Sequence, residues 1–229
     1  MNTVYIYHHL GLGDHIIANG LVRTIAKDYD VVFLFCKPHN IKNVSYMYRD
    51  LTKLKLLPFE DDGVAEFMKI NSHHKYIIIG HSEFSKIFNS PGNKLTIDEI
   101  FYSLAGLSIE KKWEAFYVDR DIKREKEVFE RLGLEKGEKY IFVHDKEDAK
   151  IYKNLPDTKI IKPKPEFSLF DFLYTIENAN EIHCINSSFS CLIDCIGIDK
   201  ENMFIHTYPQ RQYDDFLNGK LRNNWKLIR

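Results

Sequence analysis

The opening run Thr3-Val4-Tyr5-Ile6-Tyr7-His8-His9-Leu10-Gly11-Leu12-Gly13-Asp14-His15 constrains the fold more than any other stretch of the chain. It reads as an apolar strand, a glycine-rich turn and the start of a helix that carries an acid at its N-terminus. The helix is expected over 15–28, where Ile16, Ile17, Leu21 and Ile25, with Gly20 among them, share one face and Asn19, Arg23 and Lys27 point elsewhere. A strand that passes through a tight turn into an amphipathic helix returns beside itself in parallel, which makes an open α/β sheet covered by helices.

The same alternation continues along the chain. Strands are expected at 3–8, 31–36, 53–58 and 75–80, with helices near 40–51, 63–70 and 97–106. Thr96-Ile97-Asp98-Glu99 spells a capping box before the last of these. The pattern then restarts, with helix 119–132, strand 139–145, strand 158–162, helix 169–179 capped by Ser168, strand 181–186, helix 189–196, strand 202–205 and a last helix near 210–219. The fold class is therefore α/β, as two Rossmann-like doubly wound domains facing a cleft, 1–118 and 119–229, with the boundary falling between 115 and 122. No internal repeat of solenoid type is present.

Bulk composition narrows the class. Hydrophobic residues at 44% are enough for a packed core, and a net charge of −1 gives no broad attraction to nucleic acid or to an acidic membrane. The four cysteines, Cys36, Cys184, Cys191 and Cys195, form no C-x-x-C pair and read as buried thiols in a reducing compartment rather than zinc ligands. No secretory leader and no spanning segment of ~20 apolar residues is expected, so the chain reads as cytoplasmic, touching a membrane only peripherally if at all.

Two strand-to-helix corners carry the chemistry. In the first, Gly11 and Gly13 allow close backbone approach or positive φ, and Asp14 and His15 stand where a proton can be moved. The dinucleotide fingerprint fails here, because Ile16 occupies its third glycine position and Asp14 would repel a pyrophosphate over the helix N-terminus. Asp14 reads either as a helix cap or as a base. In the second corner, Cys184-Ile185-Asn186-Ser187-Ser188-Phe189 leads into a helix without any acid, so its first amides either receive an anion or are capped by serine.

These two corners resemble those of the heptosyltransferases and related small glycosyltransferases of GT-B architecture. The Gly-Leu-Gly-Asp turn is similar to the start of such enzymes, and the late strand-Asn-Ser-Ser-helix segment to their diphosphate-binding corner. The resemblance implies a hexosyl- or deoxyhexosyltransferase that moves a sugar from a nucleoside-diphosphate donor to a glycan hydroxyl. Transfer would be inverting, without metal or other cofactor, in cell-surface or structural glycan biosynthesis. Asp14 would be the general base, with His15 as its rival because an ordinary imidazole titrates nearer neutrality. Gly13, His144, Lys162, Asn186, Ser187, Ser188 and Phe189 would meet the donor, while His9, Gly11 and His81 would meet the acceptor. Another Rossmann-type nucleotide-sugar enzyme (an epimerase or a hydrolase) and a non-catalytic binding module are the alternatives.

Three further motifs weigh less. Asp119-Arg120-Asp121, after a strand-like Ala115–Val118, spells the D-x-D that can hold a divalent ion. Gly80-His81-Ser82-Glu83-Phe84 starts like a nucleophile elbow but lacks the closing glycine. Asp61-Asp62 reads as a solvated turn, and His73-His74 as surface at the opposite sheet edge.

Overall fold

A computed structural model describes residues 2–147, 149–207, 219–222 and 224–229. The chain divides into two compact units, Met1–Asp119 and Arg120–Arg229.

The first unit holds four parallel strands, β1 (Thr3–Tyr7), β2 (Val31–Cys36), β3 (Leu54–Pro58) and β4 (Tyr76–Ile78), in the order β3-β2-β1-β4. Register places Thr3 beside Val31 and Tyr5 beside Tyr76. Val4, Ile6, Val32 and Leu34 are fully buried because helices cover the sheet. Each such side chain contributes ~1.5–3 kcal/mol by leaving water. An aromatic cluster of Tyr5, Tyr7, Phe35, Phe59 and Phe67 packs against Val64.

The helix expected over 15–28 is two helices, α1 (Leu12–Ile17) and α2 (Asn19–Ala26). The break has a visible cause. The Tyr102 hydroxyl donates to the Ile17 carbonyl at 3.0 Å and accepts from the Leu21 amide at 3.1 Å, standing where the helical bond between those two groups would lie. Asn19, expected to face away, is fully buried. Its Oδ1 accepts from the Tyr117 amide at 3.0 Å, and its Nδ2 donates to the Tyr117 carbonyl at 3.3 Å.

Then come α3 (Ile41–Met47) after a 3₁₀ turn at Pro38–Asn40, α4 (Asp61–Ile70), α5 (His81–Phe88), α6 (Ile97–Leu104) and α7 (Lys111–Glu114). The Thr96–Glu99 capping box opens α6, with the Thr96 amide donating to Glu99 Oε2 at 2.9 Å. Ala115–Val118 forms no strand.

The second unit begins with α8 (Ile122–Arg131). Its five parallel strands are β5 (Tyr140–His144), β6 (Lys159–Ile161), β7 (Glu181–Ile185), β8 (Met203–His206) and β9 (Lys226–Ile228), in the order β6-β5-β7-β8-β9. Between them lie a 3₁₀ turn at Leu169–Phe172 running into α9 (Leu173–Asn178), and α10 (Ser188–Ile196). The segment 226–228 pairs with β8 through Phe204–Lys226 and Ile205–Leu227. The last helix expected, 210–219, lies outside the described residues except at its end. Among the described residues no helix is long and apolar enough to cross a membrane.

Candidate functional site

In an open parallel sheet, neighbouring strands whose connections leave in opposite directions part their loops and open a crevice at the carboxyl edge. In the first sheet that point lies between β1 and β4, and in the second between β5 and β7. The residues singled out in the sequence gather at these two places, each within its own unit.

At the first switch point, the turn after β1 meets the turn after β4. The His81 amide donates to His9 Nε2 at 2.9 Å, and the His81 ring stacks on Tyr7 with centroids 4.4 Å apart. Gly80 permits this closeness, since a Cβ there would lie 2.6 Å from the His9 nitrogen and 2.7 Å from the His8 carbonyl carbon. His81 itself takes φ 53°, a left-handed conformation that a non-glycine residue adopts only under constraint.

Gly11 is extended, with φ −69°, and forms the N-cap of α1. Neither it nor Gly13 takes positive φ. What Gly11 supplies is room, because a Cβ there would lie 2.6 Å from Asp14 Oδ2. Asp14 is the third residue of α1, not its cap, and its half-buried carboxylate turns back onto the backbone amides of Gly11 and Asp14. Burial pushes this carboxyl up to about 6, against the pull of those two amides and of Lys37. An ordinary aspartate near 4 is a poor proton acceptor; one near 6 is matched to neutral pH.

His15 occupies a different environment. It is fully buried, its ring meets His8 edge-on at 4.4 Å, and neither ring nitrogen has a hydrogen-bond partner among the described residues. Desolvation holds it well below the usual histidine range. His15 is therefore a core side chain in this structure, closed to a substrate hydroxyl. His9 is half-buried, and burial lowers it to about 4, so its Nε2 serves the His81 amide as a neutral acceptor.

Two residues at this edge escaped the sequence reading. Lys37 follows β2 and Asp61 opens α4 after β3; their side chains meet at 2.5 Å. His81 Nε2 lies 3.8 Å from the other oxygen of Asp61. Asp61 is thus solvent-exposed, as the sequence suggested, and also paired, at the first turn of α4. The rule that ligands gather at carboxyl ends of strands, applied to β2 and β3 as well as β1, would have marked both residues.

At the second switch point, the end of β5 meets the start of α10. Ser187 Oγ and His144 Nδ1 are 2.9 Å apart, and the His144 and Phe189 rings lie 4.4 Å apart. Ser190 Oγ accepts from the Ser187 amide at 2.9 Å and donates to the Ser187 carbonyl at 2.8 Å, and with the Ser187 side chain facing the Ser190 amide the two serines form a capping box at the start of α10. Burial lowers His144 to about 4, helped by Lys146 and Lys162, so the ring is neutral at pH 7. Asn186 and Ser188 are half-buried at the same turn. Lys162 is engaged, donating to both Asp145 oxygens at 2.8 and 2.7 Å, so its ammonium joins the ends of β5 and β6.

The D-x-D residues are likewise occupied. Asp119 pairs with Arg49 at 3.1 Å, and Asp121 caps α8 by accepting from the Arg124 amide at 2.9 Å. Among the described residues no three His, Cys, Asp or Glu side chains converge as a metal site would require. Cys36, Cys184 and Cys195 are buried and Cys191 is half-buried.

No family model and no curated protein matches this sequence. Solved structures do. A glycosyl transferase of family 9 from Veillonella parvula DSM 2008 superposes with a TM-score of 0.65 at 11% identity, covering 99% of this chain and 86% of that one. The ADP-heptose LPS heptosyltransferase II of E. coli superposes with a TM-score of 0.60 at 10% identity, covering 100% of this chain and 90% of the other. With a parallel sheet in each unit and polar side chains at each switch point, this chain has, over almost its full length, the fold of these glycosyltransferases.

Proposed function

We propose that this chain is an inverting, metal-independent glycosyltransferase. It transfers a hexosyl or deoxyhexosyl group from a nucleoside-diphosphate sugar to a glycan hydroxyl, in the synthesis of a surface or structural glycan. The observation that carries the reading is the Asp14 carboxyl, at the switch point of a fold shared with glycosyltransferases and raised to about 6 by burial.

The chemistry follows from the residues. The acceptor binds on the first unit near His9, Gly11 and His81, and its hydroxyl gives a proton to Asp14 as the oxygen attacks the anomeric carbon. The bond from that carbon to the diphosphate breaks on the opposite face, which inverts the configuration. The diphosphate lies on the second unit, at the N-terminus of α10 and the side chains of Asn186, Ser187 and Ser188, where it competes with the Ser187–Ser190 capping box. When His144 Nδ1 accepts from the Ser187 hydroxyl, the single proton of the neutral ring sits on Nε2, a donor for a phosphate oxygen. Lys162 reaches the donor only by leaving Asp145.

A thermal-shift screen of UDP, GDP, CMP and TDP identifies the donor base, because a ligand bound by the native state alone raises Tm. With that donor and a glycan acceptor panel, Asp14→Asn is expected to lose at least ~100-fold in kcat with Tm preserved, the usual size of a general-base contribution. Wild-type turnover by Asp14→Asn refutes the assignment of the base. Donor consumption with no acceptor requirement refutes transferase activity.

A further inference from the structure

The Lys37–Asp61 pair has no part in the mechanism above, yet it stands at the same sheet edge as Asp14 and against His81. One Asp61 oxygen holds Lys37 Nζ at 2.5 Å and the other faces His81 Nε2 at 3.8 Å. His81 is in turn fixed by its amide on His9 and its ring on Tyr7. An ammonium on a flexible four-carbon stem, within Coulombic reach of the carboxylates of Asp61, Glu60 and Asp14, can be drawn to any of them. In this structure it is with Asp61. A direct ion pair with Asp14 would hold that carboxyl low and spoil it as a proton acceptor.

We propose that Asp61 is a positioning residue of the Asp14 site: by holding Lys37 on one oxygen, with His81 against the other, it keeps the ammonium off Asp14 and leaves that carboxylate open to an acceptor hydroxyl. The inference rests on the reading of Asp14 as general base. The charges that face Asp14 and Lys37 come from several elements. Tyr7 and His9 lie on and just after β1, Lys37 after β2, Glu60 and Asp61 at the start of α4, and His81 at the start of α5. Burial raises Tyr7 to about 12 and lowers His9 to about 4, so both are neutral at pH 7. His81 is lowered by burial, against the pull of Asp61. Among these groups Lys37 is the cation whose placement Asp61 decides.

The test is a carbon-13 carboxyl titration of Asp14 in the whole chain. Asp61→Asn is an isosteric change at a side chain 46% exposed, so Tm should hold. It is expected to lower the Asp14 pKa by ~1–3 units, as an adjacent cation does. Asp61→Glu, which keeps the carboxylate, should titrate as wild type. In a Lys37→Met background, Asp61→Asn should move Asp14 by less than half as much. An equal shift in both backgrounds would show that Asp61 acts by its own charge alone and would overturn the proposal, as would no shift in Asp61→Asn. The acid limb of kcat in the transferase assay should move with the titration. If Asp14→Asn turned over normally, the base assignment would fall while the titration remained readable.

Discussion

Replacing Tyr102 with phenylalanine removes one oxygen and tests why the first helix is broken. That oxygen makes two hydrogen bonds, to the Ile17 carbonyl at 3.0 Å and from the Leu21 amide at 3.1 Å, and the tyrosine is completely buried. A buried hydrogen bond contributes a net ~1 kcal/mol, and a buried group left without a partner costs ~1–3 kcal/mol. If the backbone stays as it is, Tyr102→Phe should destabilise the first unit by about 2–3 kcal/mol. For a chain of this length, each kcal/mol lowers Tm by roughly 2–4 °C. The competing outcome is that α1 and α2 fuse, the Leu21 amide finding the Ile17 carbonyl directly. One bond then returns and the loss falls below ~1 kcal/mol. Urea unfolding at constant m measures the energy, and hydrogen exchange at the Leu21 amide tells the outcomes apart. A small loss with α1 and α2 still separate, the Leu21 amide not bonded to the Ile17 carbonyl, would refute the wedge as the cause of the break.

Other expectations follow from the same geometry. Gly80→Ala would drive a Cβ to 2.6 Å from the His9 nitrogen, which is backbone and cannot swing aside; it should cost ~1–3 kcal/mol and weaken turnover, and a variant with wild-type Tm and kcat would contradict the close approach. Acid should destabilise the protein, because His8 and His206, both buried, titrate in the folded chain at about 4 instead of 6.5. Stability stands above pH 6.5 and is lost as pH falls towards 4, by up to ~3 kcal/mol for each ring; Asp14, raised to about 6, opposes this by taking up its proton early in the folded state. A Tm that stays flat from pH 7 to 4.5 would refute it. Transfer should continue undiminished in EDTA, and a strict Mn²⁺ requirement would return attention to Asp119 and Asp121.

The strand framework was legible because continuous apolar runs such as Val31–Cys36 and Tyr140–Val143 are what strands buried on both faces need. The capping box at Thr96 was legible because its partners lie within one turn. The broken helix was not, since its wedge arrives from Tyr102, 81 residues beyond Leu21. Strand β9 was hidden because Lys226-Leu227-Ile228 has no periodicity of its own and becomes a strand only by pairing with β8. The site was partly readable: the turns after β1 and before α10 announced themselves through glycine and serine. Lys37 and Asp61 are ordinary charges until parallel pairing of β2 and β3 brings their loops together. The burial of His15 was not legible because sequence carries no measure of burial, and one step along a helix separates half-buried Asp14 from a fully buried ring.

The placement of β1 inside its sheet has a kinetic consequence. Thr3 pairs with Val31 and Tyr5 with Tyr76, separations of 28 and 71 residues, so one flank of β1 waits for a distant partner. Until β4 docks, that flank presents unsatisfied amides and carbonyls between apolar side chains, a template for any other chain at hand. Renaturation from denaturant should therefore be slow and its yield should fall with protein concentration, with Tyr76-Ile77-Ile78 as the segment whose docking ends the hazard.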